Sequence, residues 1–258
     1  MYGFDDLILS KMFFSTLKSY EYKNILNNNK IKKTIYHCNS DKVIFILPQW
    51  MGKTFYFKPL INILNSKHAI VLYDLPYNLL SDNVKLTVHL FNKIADDIIS
   101  TFNKLQKNGC EQYGIIATST STVSAVIACN RDKRCKKLIL NLVCNDLAEG
   151  IWHSKNPLVM NIKRNLVNKG ITLSKLKNNF NVLSYKENSK NLNKKGILIF
   201  LSRNDKIIPY NNGIKLLNLL NRDDIEYELV INKLFGHYIS GIKNVIFSNK
   251  IKNFIDNW

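Results

Sequence analysis

Three residues that end hydrophobic runs offer a hydroxyl, a carboxylate and an imidazole in that chain order: Ser119, Asp205 and His237. Brought together, such groups are the material of nucleophilic and general acid–base catalysis. Ser119 follows the run Tyr113-Gly114-Ile115-Ile116-Ala117 and precedes a helical pattern, which places it on a sharp strand-to-helix turn. The small residues Ala117 and Ser121 suit that turn, because the flanking backbones approach closely. Asp205 lies in Ser202-Arg203-Asn204-Asp205-Lys206-Ile207-Ile208-Pro209, and His237 ends Leu234-Phe235-Gly236-His237. Each has a plainer structural reading as well. Ser119 suits a helix N-cap and has rivals in Ser121 and Ser124, Asp205 suits a turn, and His237 suits a satisfied core or surface histidine. Those readings do not predict the shared order or the shared placement at strand ends.

The elements that must hold these groups follow from the hydrophobic pattern. Residues 4–17 read as a helix with Asp5 and Asp6 in its first turn, and residues 20–26 and 31–37 as a hairpin around an Asn-rich turn. A third strand, 42–47, ends at Pro48. From there short apolar runs (68–73, 113–117, 137–143, 197–201, 226–231) alternate with helical patterns (55–64, 84–105, 122–130, 212–220, 243–258). That alternation predicts an α/β fold: a mostly parallel sheet, helices on both faces, an N-terminal antiparallel hairpin. Functional groups in such a sheet collect at the carboxyl ends of its strands. Residues 147–195 break the rhythm and read as a short, weakly helical insertion into a core of residues 1–146 and 196–258.

At five stations the chain resembles the α/β-hydrolases. Ile44 to Gly52 resembles their first long strand and oxyanion loop, with Pro48-Gln49 where the family has His-Gly. Tyr73-Asp74-Leu75-Pro76-Tyr77-Asn78-Leu79-Leu80-Ser81 is similar to the segment after their next strand, without its glycines. Ala117-Thr118-Ser119-Thr120-Ser121 stands for Gly-x-Ser-x-Gly, and Asp205 and Gly236-His237 stand at the acid and histidine stations. The Ala-x-Ser-x-Ser elbow is similar to that of the acyl-ACP thioesterases (acyltransferases) of bacterial luminescence. The resemblance implies Ser119 as nucleophile, His237 as general base and Asp205 as the acid that orients it. The other histidines (His37, His68, His89, His153) show no ligand-like clustering, and no metal or cofactor is expected. The resemblance also implies an oxyanion hole from the backbone N–H of Thr120 and one from Gln49 or Trp50. Pro48, lacking an N–H, offers none. Trp50 reads equally as a substrate-binding pocket residue and as core.

The chain has 258 residues with 37 Lys+Arg against 19 Asp+Glu, a formal net charge of +18, yet 46% hydrophobic content makes it a folding sequence and not a polycationic tail. Half of that excess falls in residues 151–195, where ten basic residues, Lys163 and Arg164 among them, face the single acid Glu187. The family places its lid there. A basic lid over an apolar pocket suits an acyl chain presented by acidic acyl carrier protein, as the resemblance to esterases of pimeloyl-ACP methyl ester in biotin synthesis implies, with Lys163 and Arg164 as substrate-binding residues. A solvated, Lys-rich lid face and general Asn/Lys drift account for the same charge. No helix-turn-helix, zinc or aromatic-basic motif supports nucleic-acid binding. An ester or thioester hydrolase, an acyltransferase and a non-catalytic binding protein on this fold remain the candidates. Acids at the amino terminus, no apolar run long enough to span a bilayer and five cysteines without CxxC spacing point to the cytoplasm.

Overall fold

Apolar residues alternate between the two faces of every central strand, and that alternation builds two cores. In the computed structural model, which describes residues 30–36, 40–246 and 249–257, seven strands pair into one sheet. They are β1 (Lys32–Tyr36), β2 (Lys42–Leu47), β3 (Ala69–Asp74), β4 (Gln112–Thr118), β5 (Cys135–Asn141), β6 (Gly196–Ser202) and β7 (Glu228–Asn232), in the order β1-β3-β2-β4-β5-β6-β7. Val43, Phe45 and Leu47 of β2 point into one core and Ile44 and Ile46 into the other; β3, β5 and β6 divide in the same way. Buried on both faces, these strands read as continuous apolar runs.

β1 pairs antiparallel with β3, and every other pairing is parallel. This supplies the antiparallel edge expected at the amino-terminal side. The expected helix at 4–17 and strand at 20–26 lie outside the described residues.

The strand order reverses once, and right-handed crossovers then dictate which face each helix covers. The step from β2 out to β3 carries α1 (Lys58–Leu64) on one face. The return to β4 and the steps beyond it carry α2 (Val84–Gln106), α3 (Thr122–Arg131) and, between β6 and β7, α7 (Tyr210–Arg222) on the other. α2 starts where Asn83 Oδ1 accepts the Leu86 N–H at 3.0 Å, and it buries Leu90, Phe91, Ile94, Ile98, Phe102 and Leu105 at helical spacing. Because β2 and β4 are neighbours, with Leu47 opposite Ala117, the loops leaving both open into one crevice.

Between β5 and β6 run α4 (Leu147–His153), α5 (Pro157–Asn168) and α6 (Leu173–Phe180), followed by short 3-10 turns. The expectation of weak helicity understates this segment. Asp146, Asn156 and Thr172 each cap one of these helices through the side chain, so local capping succeeds where composition gave little signal. The expected helix at 243–258 is instead α8 (His237–Ile246) and α9 (Asn249–Asp256). No helix among the described residues is long and apolar enough to cross a membrane.

Candidate active site

The chain turns at Ser119 with φ 62, a left-handed conformation that costs a non-glycine residue roughly 1–3 kcal/mol. Met51 (φ 59) and Leu142 (φ 56), just past β2 and β5, share it. Three strained positions thus sit at adjacent strand ends. The extended residue before the turn is Thr118, so Ser119 is not the N-cap. Its rivals are engaged elsewhere. Ser121 Oγ accepts the Thr118 N–H at 3.1 Å and has the carbonyl oxygens of Thr118 and Leu47 at 2.8 and 3.0 Å, while Ser124 Oγ donates to Phe91 O at 2.9 Å. Ser121, replacing the family's glycine, therefore ties the elbow to β2.

His237 opens α8, and its Nε2 stands 3.0 Å from Ser119 Oγ. Its Nδ1 stands 2.6 Å from Asp205 Oδ2. The other Asp205 oxygen accepts the backbone N–H groups of Ile207 and Ile208 at 2.9 and 2.8 Å, which aims the carboxylate. All three side chains are buried. α8 is fastened to the sheet by Asn141, fully buried at the end of β5. Asn141 Nδ2 donates to Gly241 O at 3.0 Å and its Oδ1 accepts from Asn244 Nδ2 at 2.9 Å. Ser202 Oγ and Ser240 Oγ both reach Phe235 O, at 2.5 and 3.1 Å, and fix the loop that delivers the histidine.

The loop after β2 lies across from the elbow. A turn closes it, with the Gly52 N–H donating to Gln49 O at 2.8 Å, and a Cβ at Gly52 would lie 2.7 Å from Gln49 Cγ. The sequence left Trp50 open between pocket and core. Its Nε1 donates to Tyr77 O at 2.7 Å, and its ring both lines the pocket and packs on the core.

The cavity above Ser119 has an empty volume of about 470 Å³ including its mouth. Gln49, Trp50, Thr120 and His237 line it together with Ser119, and Leu80, Leu147, Ile151, Val159, Ile207 and Ile208 form an apolar wall. Half of that wall comes from α4 and α5, so the start of the insertion covers the site. Cys144 also lines it. Burial, with Asp146 and Asp205 nearby, pushes its thiol well above the ordinary range, so it is protonated and a poor nucleophile.

Lys163 and Arg164 are not among the lining residues. The Lys163 ammonium donates to Trp152 O at 2.8 Å and lies 5.0 Å from the Trp152 ring centroid, whereas Arg164 is exposed and reaches Asn161 Oδ1 at 3.4 Å. The insertion's other charges are spread out. Lys169 pairs with Asp82 and Lys177 with Glu149. Buried Lys195 donates to the carbonyls of Asp132, Lys133 and Cys135, beyond the end of α3 that is remote from Ser119. Sequence reasoning missed Asn156 and Tyr238, which line the pocket and join at 3.1 Å from Asn156 Nδ2 to Tyr238 OH. Asn156-Pro157 is a helix-start signature that could have found the first.

Several known proteins share this arrangement of elements. The acetyl xylan esterase of Paenibacillus sp. R4 superposes with a TM-score of 0.66 over 90% of this chain and 81% of its own, at 12% identity. The mouse alpha/beta hydrolase domain-containing protein 10 gives 0.56 over 88% and 93%, at 13% identity. This chain has the α/β-hydrolase fold. The acylaminoacyl peptidase of Pyrococcus horikoshii gives 0.64 over 96% of this chain but only 43% of its own, at 13% identity. In sequence, residues 161–258 match the model of the prolyl oligopeptidase family, a span that includes Asp205 and His237. No curated protein matches the chain in sequence.

Proposed function

We propose that this chain is a serine hydrolase cleaving a carboxylic ester or thioester of an acyl substrate. The observation that carries the reading is the continuous hydrogen-bonded line Ser119–His237–Asp205 at the floor of an apolar pocket. Ser119 Oγ attacks the acyl carbon as His237 Nε2 takes its proton, and Asp205 stabilises the imidazolium through Nδ1. The developing oxyanion is held by the backbone N–H of Thr120 and that of Gln49 or Trp50. His237 passes the proton to the leaving alcohol or thiol, leaving an acyl-Ser119 ester. Water, deprotonated by His237, then releases the acid and restores the serine.

The apolar wall suits an aliphatic acyl group. The finer part of the reading is that this group arrives on acyl carrier protein. It is supported by α5, whose Val159 lines the pocket while Arg164 faces outward beside Lys163. Hydrolysis of p-nitrophenyl butyrate by the wild type and its loss in Ser119→Ala test the first part. For the second, Arg164→Glu is expected to raise KM for a butyryl-carrier substrate and leave the p-nitrophenyl ester unaffected. Equal KM values with the carrier would remove carrier docking from the account. Transfer to an acceptor other than water is separated by identifying the acyl product.

A further inference from the structure

A second cavity opens on the far side of Gln49. Its empty volume is about 330 Å³ with its mouth, and Gln49, Lys53, Tyr56, Phe57, Ile242 and Val245 are among the residues that line it. Phe57 and Val245 belong to the core beneath α1 and α9, whereas the pocket over Ser119 is walled by Leu80, Leu147 and Ile151 of the opposite core. The two cavities therefore lie on different faces of the sheet, and Gln49 lines both.

The chemistry of the second cavity is one-sided. Its walls are aromatic and aliphatic, with polar groups from Gln49, Thr118 and the Tyr56 hydroxyl. Desolvation raises that hydroxyl's pKa. Among the described residues, exposed Lys53 is the one charged residue that lines the cavity, and no carboxylate does. Gly241 keeps the floor open: a Cβ there would come within 3.3 Å of Leu142 Cδ1 and 3.9 Å of Gln49 Oε1.

We propose that this cavity is a second small-molecule site for a short-chain monocarboxylate, its chain against Phe57, Ile242 and Val245 and its carboxylate at the Lys53 ammonium. An occupant touches the side chain of Gln49, whose turn carries the left-handed Met51. A cationic ligand would be repelled by Lys53, a second carboxylate would find no partner among the described lining residues, and a neutral alcohol would forgo the lysine.

Calorimetric titration of the full chain with hexanoate, alongside hexan-1-ol, tests the site without requiring turnover. It therefore stands or falls separately from the role of Ser119. Ile242→Trp and, independently, Val245→Phe fill the second cavity, and each is expected to weaken hexanoate binding about ten-fold or more. Lys53→Glu is expected to weaken hexanoate to a similar degree and leave hexan-1-ol unchanged. Ile151→Trp, which fills the pocket over Ser119, is expected to leave hexanoate binding intact. Absence of a binding heat in the wild type overturns the proposal. So does loss of binding in Ile151→Trp with retention in both filling variants, or unchanged hexanoate affinity in Lys53→Glu.

Discussion

His237 Nε2 lies 3.0 Å from Ser119 Oγ although the two residues come from different strand ends on opposite sides of the insertion. The distance is set by the sheet. β4 delivers the serine, β5 holds α8 through Asn141, and the loop after β6 supplies the carboxylate that orients the ring.

If the three groups act as one unit, their removals are not additive. Ser119→Ala and His237→Ala are each expected to lower kcat on a p-nitrophenyl ester by about 10⁴-fold or more, and the double variant little further. Asp205→Asn preserves the shape but presents an amide to Nδ1, which disfavours the tautomer with a free Nε2. A loss of about 10⁴-fold in kcat is expected with an unchanged melting curve. Steady-state kinetics with circular dichroism checks both.

Asn141 is a positioning residue with no contact to substrate. Replacing it by Ala strands the Gly241 carbonyl and the Asn244 amide in a buried place, at a cost of about 1–3 kcal/mol. Urea unfolding is expected to show that loss, together with a fall in kcat larger than any change in KM, because α8 carries His237.

Thiol reagents distinguish serine from cysteine chemistry at this site. Cys144 lines the pocket with its thiol held protonated by burial and by nearby Asp146 and Asp205. Iodoacetamide at neutral pH is expected to leave activity intact, and Cys144→Ser to retain most of it. Inactivation by iodoacetamide together with loss of activity in Cys144→Ser, but not in Ser119→Ala, would make the thiol the nucleophile.

Acid should loosen the roof of the pocket. Burial pushes the Glu149 carboxyl upward, but hydrogen bonds and charge from Lys177 and Lys215, at 2.6 and 2.5 Å, prevail and hold it below its usual value. Its folded pKa is thus lower than its unfolded one. The stability it contributes is present above the unfolded value and is lost as pH falls through the folded one. Glu149→Gln is therefore expected to lower Tm at neutral pH, with the gap to wild type closing below about pH 4. A gap independent of pH would mean that packing, not charge, ties α4 to α6 and α7.

Much of this site was legible because strand ends are legible. Unbroken runs such as Val43 to Leu47 and Ile197 to Leu201 are what a doubly covered strand requires, and Ser119 and Asp205 each stand just past such a run, whereas His237 follows the edge strand β7, which is only partly buried. The choice of Ser119 over Ser121 and Ser124 was not legible from composition. It rests on φ 62 at one residue and on carbonyl partners, Leu47 and Phe91, that come from distant strands and helices. The insertion was harder still. Its lysines read as one basic block, but their partners are tertiary: Lys177 crosses to Glu149, and Lys195 is buried against three carbonyls around the start of β5. The second cavity left no linear trace, because Lys53, Thr118 and Val245 meet only through the strand order.

The most direct measurement is intact-protein mass spectrometry after treatment with a fluorophosphonate, followed by peptide mapping. The account predicts one covalent adduct per chain, on Ser119, absent from Ser119→Ala and strongly slowed in His237→Ala. No adduct, or an adduct that persists in Ser119→Ala, would contradict it.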